Sequence, residues 1–84
     1  MPKSPPEMVR DKVDAGTLPR DAPLRLWAGK GSDKRCSACE HPILPSEPEY
    51  EPRFDDGRPS IVLHAQCYKL WLEELRRRGY LPSQ

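Results

Sequence analysis

Cys36-Ser37-Ala38-Cys39 and His64-Ala65-Gln66-Cys67 are the two short stretches on which the reading of this chain turns. Together they spell C-x2-C-x24-H-x2-C and use all 3 cysteines among the 84 residues. A gap of two residues lets a tight turn aim both side chains of a pair at one point. Three thiolates and one imidazole are the donor set of a closed tetrahedral Zn2+ site. A lone C-x2-C is shared with thiol redox motifs, but a second pair that includes a histidine at loop distance makes the metal reading specific. The spacing therefore predicts one structural zinc on Cys36, Cys39, His64 and Cys67.

Composition agrees. Apolar residues make up 36% of the chain and charged residues 32%, and there are 11 prolines. A chain this short buries a modest core and usually needs a metal, disulfides or a partner to supplement it. Structural zinc contributes about 10–16 kcal/mol of apparent binding energy, so the metal is expected to be a condition of folding. An odd number of cysteines argues against a disulfide framework and for a reducing compartment. The first sixteen residues lack the apolar run of a signal peptide, and no stretch approaches the roughly 20 apolar residues of a membrane span. The expectation is a soluble, cytoplasmic protein with no membrane association. A net charge of +1 favours neither nucleic acid nor an anionic surface globally.

Working outward from the ligand pairs, the period after His64 is helical. Tyr68, Trp71, Leu72 and Leu75 form one apolar stripe, Glu73 with Arg77 and Glu74 with Arg78 are i,i+4 pairs, and Gly79 stops the helix. Tyr80 and Leu81 are expected to fold back on it. Before His64, Tyr50, Pro52 and Phe54 alternate with Glu49, Glu51 and Arg53, the pattern of a half-exposed strand that Pro52 confines to an edge. Asp55-Asp56-Gly57 signals a hairpin turn, with Ser60–Leu63 as the returning strand. Ser4-Pro5-Pro6-Glu7 has the form of a helix start and Gly16 of a stop, which predicts a short helix over about residues 5–15. Residues 17–35 read as an irregular extended arm, anchored on the zinc module by Leu24, Leu26 and Trp27. The expected fold is a small zinc-stabilised α+β domain: residues 1–35 a short helix and arm, residues 36–81 the finger. Gly29-Lys30-Gly31-Ser32 lacks the spacing of a phosphate loop.

Knuckle, hairpin, then a helix whose first turn carries the second ligand pair is the order of a treble-clef finger. At the level of residues, Cys36, Cys39, Ile43, Asp56-Gly57, His64, Cys67 and Tyr68 resemble the Cys3His fingers of the poly(ADP-ribose) polymerase type. The C-x2-C…H-x2-C half-pattern is also similar to LIM-type fingers, and a small stand-alone bacterial zinc protein fits the same pattern. The spacer is shorter than in the polymerase-type finger, Leu63 stands where an aromatic commonly precedes the histidine, and LIM modules fuse two fingers where this chain holds one. The first resemblance implies binding to broken DNA ends, and the second implies binding to other proteins.

Four good ligands leave no coordination position for water, so no catalysis and no small-molecule substrate are expected. Glu40 is read as a solvated knuckle residue and His41 as an exposed turn residue rather than a competing ligand. A helix start at His64 should also favour the Cys67 thiolate. The expected role is a non-catalytic interaction or regulatory module with a protein partner. The alternative is nucleic-acid (DNA) binding through the basic arm, which holds Arg20, Arg25, Lys30, Lys34 and Arg35, together with Arg76-Arg77-Arg78. Candidate contact residues for either partner are Trp27, Lys34, Arg35, Arg76, Arg77 and Arg78. The acidic stretch Glu47–Asp56 would repel a phosphate backbone but could serve as a protein-docking edge.

Overall fold

The helical period after His64 becomes helix α2, Ala65–Arg77, and the capped N-terminal segment becomes α1, Pro5–Asp14. Between them lie strands β1 (Arg25–Lys30), β2 (Pro48–Arg53) and β3 (Leu63–His64). These elements come from a computed structural model that describes residues 3–54, 57–58 and 60–81. The strands form one antiparallel sheet in the order β1-β2-β3. The fold is thus small α+β, with two helices and a three-stranded sheet.

Both helices end as their glycines predict. Gly79 has φ +83°, its N–H donates to the Arg76 carbonyl, and that of Tyr80 reaches back to Leu75 at 2.9 Å. This is the two-bond closure that a left-handed residue permits. At the other end of the chain, Ser4 Oγ meets Glu7 Oε1 at 3.1 Å, but the Ser4 side chain makes no bond to the helix backbone. The two side chains bond each other, and neither backbone bond of the expected capping box is present among the described residues.

The core sits where α2 crosses the sheet and α1 crosses α2. Trp71 is fully buried among Val9, Val13, Leu18, Ile43, Leu63 and Leu75. Its ring contacts Phe54 edge-on at 6.5 Å and Tyr68 at 5.9 Å, and Tyr68 continues to Tyr50 at 5.2 Å. Its Nε1–H donates to the Pro19 carbonyl at 2.9 Å, which pins the N-terminal segment to α2. A buried indole needs such an acceptor. The helical stripe read from the sequence is therefore correct in phase. Leu81 packs on the core as expected, while Tyr80 remains exposed.

Five expectations fail, and each failure has a physical cause. The arm is not wholly irregular, since β1 forms within it and pairs along its length with β2, Leu26 opposite Pro52 and Ala28 opposite Tyr50. β2 is consequently the central strand and not an edge. Pro52 is tolerated there because of the phase of the ladder. Gly31 N–H donates to the Glu47 carbonyl at 2.9 Å, so odd-numbered residues of β2 bond β1 and even-numbered ones face β3. β3 pairs only with Glu49 and Tyr50, and Pro52 lies past its end, where no donor is required.

Leu24, Leu26 and Trp27 do not anchor the arm. They are 66%, 42% and 46% exposed, and Leu18 with Pro19 does the anchoring instead. Nor is Glu49 a solvated strand residue. Its side chain is buried, and Oε1 accepts from Ser32 N–H at 3.2 Å and Ser32 Oγ–H at 2.8 Å. Finally, the returning strand is two residues long, and residues 60–62 approach it without strand structure. Asp55 and Asp56 of the expected turn lie outside the described residues. Beyond it, the Arg58 guanidinium grips Asp21 at 2.6 and 2.8 Å and stacks 4.5 Å over the Phe54 ring.

Candidate metal centre

Residues 33–43 build the first ligand pair. Asp33 N–H donates to Ile43 O, Ile43 N–H to Lys34 O and Cys36 N–H to His41 O, all within 2.9 Å. These bonds bracket a turn in which Glu40 N–H closes on Cys36 O and Glu40 itself takes φ +66°. Close packing shapes the approach to this turn. A Cβ on Gly31 would stand 2.0 Å from the Leu44 carbonyl oxygen, so only glycine fits there. The second pair comes from the β3–α2 junction, with His64 in extended conformation as the residue before the helix and Cys67 in its first turn. Ser37 N–H donates to Val62 O at 2.7 Å and docks the knuckle beside that junction.

The result is a cluster in which the ligand atoms of Cys36, Cys39, His64 and Cys67 all lie within 4.8 Å of one another. A tetrahedron with metal–sulfur bonds of about 2.3 Å has edges of about 3.8 Å, so these four side chains can hold one ion with small adjustments. Cys36, Cys39 and Cys67 are buried and His64 half-buried. No disulfide joins the cysteines. Cys39 Sγ approaches His64 Nδ1 at 3.3 Å, which identifies Nδ1 as the inward nitrogen. Nε2 then carries the proton and faces the Pro42 carbonyl at 3.3 Å and Glu47 Oε1 at 3.5 Å. Such outer partners fix the ring and its tautomer at metal sites.

Electrostatics divide the three thiols. Cys36 is lowered to about 4, chiefly by a hydrogen bond from Cys67 and further by the backbone N–H groups of Cys39, His64 and Ala38, against its burial. Cys67 is pushed up because it donates that bond to Cys36, is buried, and lies beside the negative charge of Cys36 and Cys39. Burial raises Cys39, although the His41 N–H opposes it. As protein groups alone, the cluster thus holds its first thiolate on Cys36. The acidic Cys67 expected at the helix start is opposed in this cluster by its bond to the Cys36 sulfur and by burial. Concentrated negative charge of this kind is what a divalent cation relieves.

His41 is exposed on the knuckle and stands outside the four-residue group. Glu40 is also exposed and meets Lys12 at 3.4 Å. Two features of the site carried no signal in the sequence: the Pro42 carbonyl, and Glu47, whose Oε1 also accepts from Leu44 N–H at 3.0 Å. Glu47 read only as one acid among several between the ligand pairs.

The other candidate contact residues fall into separate places. Lys34 and Arg35 flank the knuckle and are exposed, with Arg35 Nη1–H donating to the Glu40 carbonyl at 3.3 Å. Trp27 lies on the sheet face opposite α2, its ring over Gly29. Arg76, Arg77 and Arg78 close the far end of α2, about 16 Å along the axis from Cys67 at 1.5 Å per residue. Arg77 and Arg78 both bind the Glu74 carboxylate, and Arg78 also binds Asp14 of α1 at 2.7 Å. No described helix is long and apolar enough to cross a membrane. No family model, curated protein or solved structure matches the chain.

Proposed function

We propose that the chain is a single treble-clef-type finger, built around one structural Zn2+ and serving as a non-catalytic module for binding another protein. The convergence of three sulfurs and one imidazole nitrogen within 4.8 Å carries this reading. The donor set fits zinc. Soft thiolates in tetrahedral array select zinc or iron–sulfur chemistry over hard cations, and one imidazole among three thiolates is a common closed zinc set. Four protein ligands fill the shell and leave no position for water, which supports a structural rather than hydrolytic role. The order of knuckle, sheet and ligand-bearing helix supports the likeness to polymerase-type and LIM-type fingers.

A protein partner is favoured over nucleic acid by the state of the arginines. Two of the three at the end of α2 are engaged by Glu74 and Asp14, and they serve the packing of α1 on α2. The basic residues of the knuckle sit at the opposite end of that helix, so the two groups offer no continuous phosphate-binding stripe.

The test is elemental analysis of natively purified protein, with cobalt(II) substitution. We expect one zinc per chain and a cobalt spectrum of tetrahedral thiolate type that loses intensity in Cys39→Ser. Absence of stoichiometric metal from folded protein would overturn the reading.

A further inference from the structure

The two edges of the sheet are unequal. β3 offers two residues and runs straight into α2, whereas β1 offers six. In β1 the odd-numbered residues bond β2, so Leu26, Ala28 and Lys30 direct their N–H and C=O groups outward. Among the described residues no backbone or side-chain group bonds them. Leu24 N–H instead bends to Arg53 O at 3.0 Å and ends the row. No described helix covers this edge from above either. α2 lies over β2 and β3 and does not reach β1, which leaves Leu26 exposed on the helix side and Trp27 exposed on the other, with Leu24 exposed just before the strand. Six unpaired backbone groups in register, flanked by apolar side chains, are a template for an added strand.

Charge decides what kind of strand. Residues 22–32 contain Arg25 and Lys30 and no acid, and neither cation, nor the nearby Lys34, has an acidic partner among the described residues. A second copy pairing edge to edge would add two more cations and no acid along the new ribbon, so it would leave these charges unanswered. A nucleic-acid backbone would answer the cations but leave the backbone row unanswered, and it would meet Glu51, which pairs with Trp27. We propose that the outer edge of β1 binds an extended, acidic segment of a partner protein as a fourth strand. Its backbone pairs with Leu26, Ala28 and Lys30, and its carboxylates meet Arg25 and Lys30. This rests on the interaction-module reading above and gives that reading a site and a partner chemistry.

The test is selection from a random dodecapeptide library displayed on phage against the zinc-loaded full chain, followed by amide NMR with the selected peptides. We expect peptides that alternate apolar and acidic residues, shift the amides of Leu26, Ala28 and Lys30, and protect them from exchange. Ala28→Pro removes one outward N–H and no bond to β2, so it keeps the sheet and should weaken binding about tenfold, the worth of one or two hydrogen bonds. Lys30→Glu should weaken it severalfold. Selected peptides that bind Ala28→Pro as tightly, shift only α2 residues such as Leu72, or lack acids would overturn the proposal, as would no selection at all. So would concentration-dependent dimerisation through β1, or a short DNA duplex that shifts the β1 amides and binds Ala28→Pro undiminished. Zinc content and melting temperature are measured on the same samples. Loss of metal from a folded chain breaks the zinc reading, while unaltered zinc without edge binding breaks only this one.

Discussion

The two ends of α2 are held by different physics. At its start, Cys67 and His64 join the knuckle through a ligand cluster and its hydrogen-bond frame. Toward its end, Trp71 and Leu75 pack on Val9 and Val13 while Glu74, Arg77, Arg78 and Asp14 interlock around them. With a metal bound as proposed, one end would concentrate its stabilisation in a single ion, while the other spreads it over many small contacts. A concentrated device is legible in four residues and fails all at once. A distributed one shows as a period in the sequence and should weaken by increments.

The largest expected effect breaks the concentrated end. Chelation, or Cys36→Ser, removes about 10–16 kcal/mol of apparent metal-binding energy, more than a small domain's net stability of about 5–15 kcal/mol. We expect helical and near-ultraviolet circular dichroism to collapse together, because the distributed end is too small to stand alone. Retention of the helical signal after chelation, with only the knuckle amides lost by NMR, would show two independent halves.

That contrast explains what could be read in advance. The ligands, both helices and their glycine stops are written in short-range spacing, and all were anticipated. β1 was not, because Arg25–Lys30 has no alternation to read. Its side chains are largely exposed, and its identity as a strand comes from β2, across the whole knuckle. Pro52 misled for a related reason: whether a proline tolerates a central position depends on ladder phase, which Gly31 and Glu47 set from outside the strand. Glu49 looked solvated because the group that buries it, Ser32, lies 17 residues upstream. Leu18 gave no periodic signal at all, yet it is fully buried. Local chemistry was visible, and non-local pairing was not.

The next effect tests the distributed end. Trp71→Ala deletes the largest buried side chain and should cost about 3–5 kcal/mol in chemical denaturation of the zinc-loaded protein. Trp71→Phe keeps most of the apolar volume but orphans the Pro19 carbonyl, and should cost less. If both substitutions cost under about 1 kcal/mol, the helical end contributes little and the comparison fails.

A smaller effect concerns Glu74, whose carboxyl sits below the ordinary value of 4.5 because Arg77 and Arg78 bond it more strongly than burial opposes it. A depressed acid contributes stability that is fully present above its unfolded value and is lost as pH falls through the folded one. Glu74→Gln should therefore lower stability by about 2 kcal/mol near neutrality. The gap to the unaltered protein should stay level down to about pH 5 and close below the ordinary carboxylate value, where the native side chain is itself neutral. A gap that persists unchanged in acid would mean that shape, not charge, holds the junction.

The smallest effect is expected where the chain looks most apolar. Leu24, Leu26 and Trp27 are the residues a composition-based reading would bury, and replacing any of them in a core would cost several kcal/mol. Here Leu26 and Trp27 project from an edge strand beyond the reach of α2 and Leu24 just precedes it, so much of their apolar surface is already in water and limited burial is lost on substitution. Trp27→Ser gives up only the ring's contact over Gly29 and some strand propensity, and single exposed replacements of this kind usually stay within about 0.5 kcal/mol. Trp27→Ser and Leu26→Ser should accordingly leave the denaturation midpoint almost unmoved while leaving metal content intact. A loss above about 2 kcal/mol from either would mean that β1 is part of the distributed core after all, and the contrast between a covered sheet centre and an open edge would have to be redrawn.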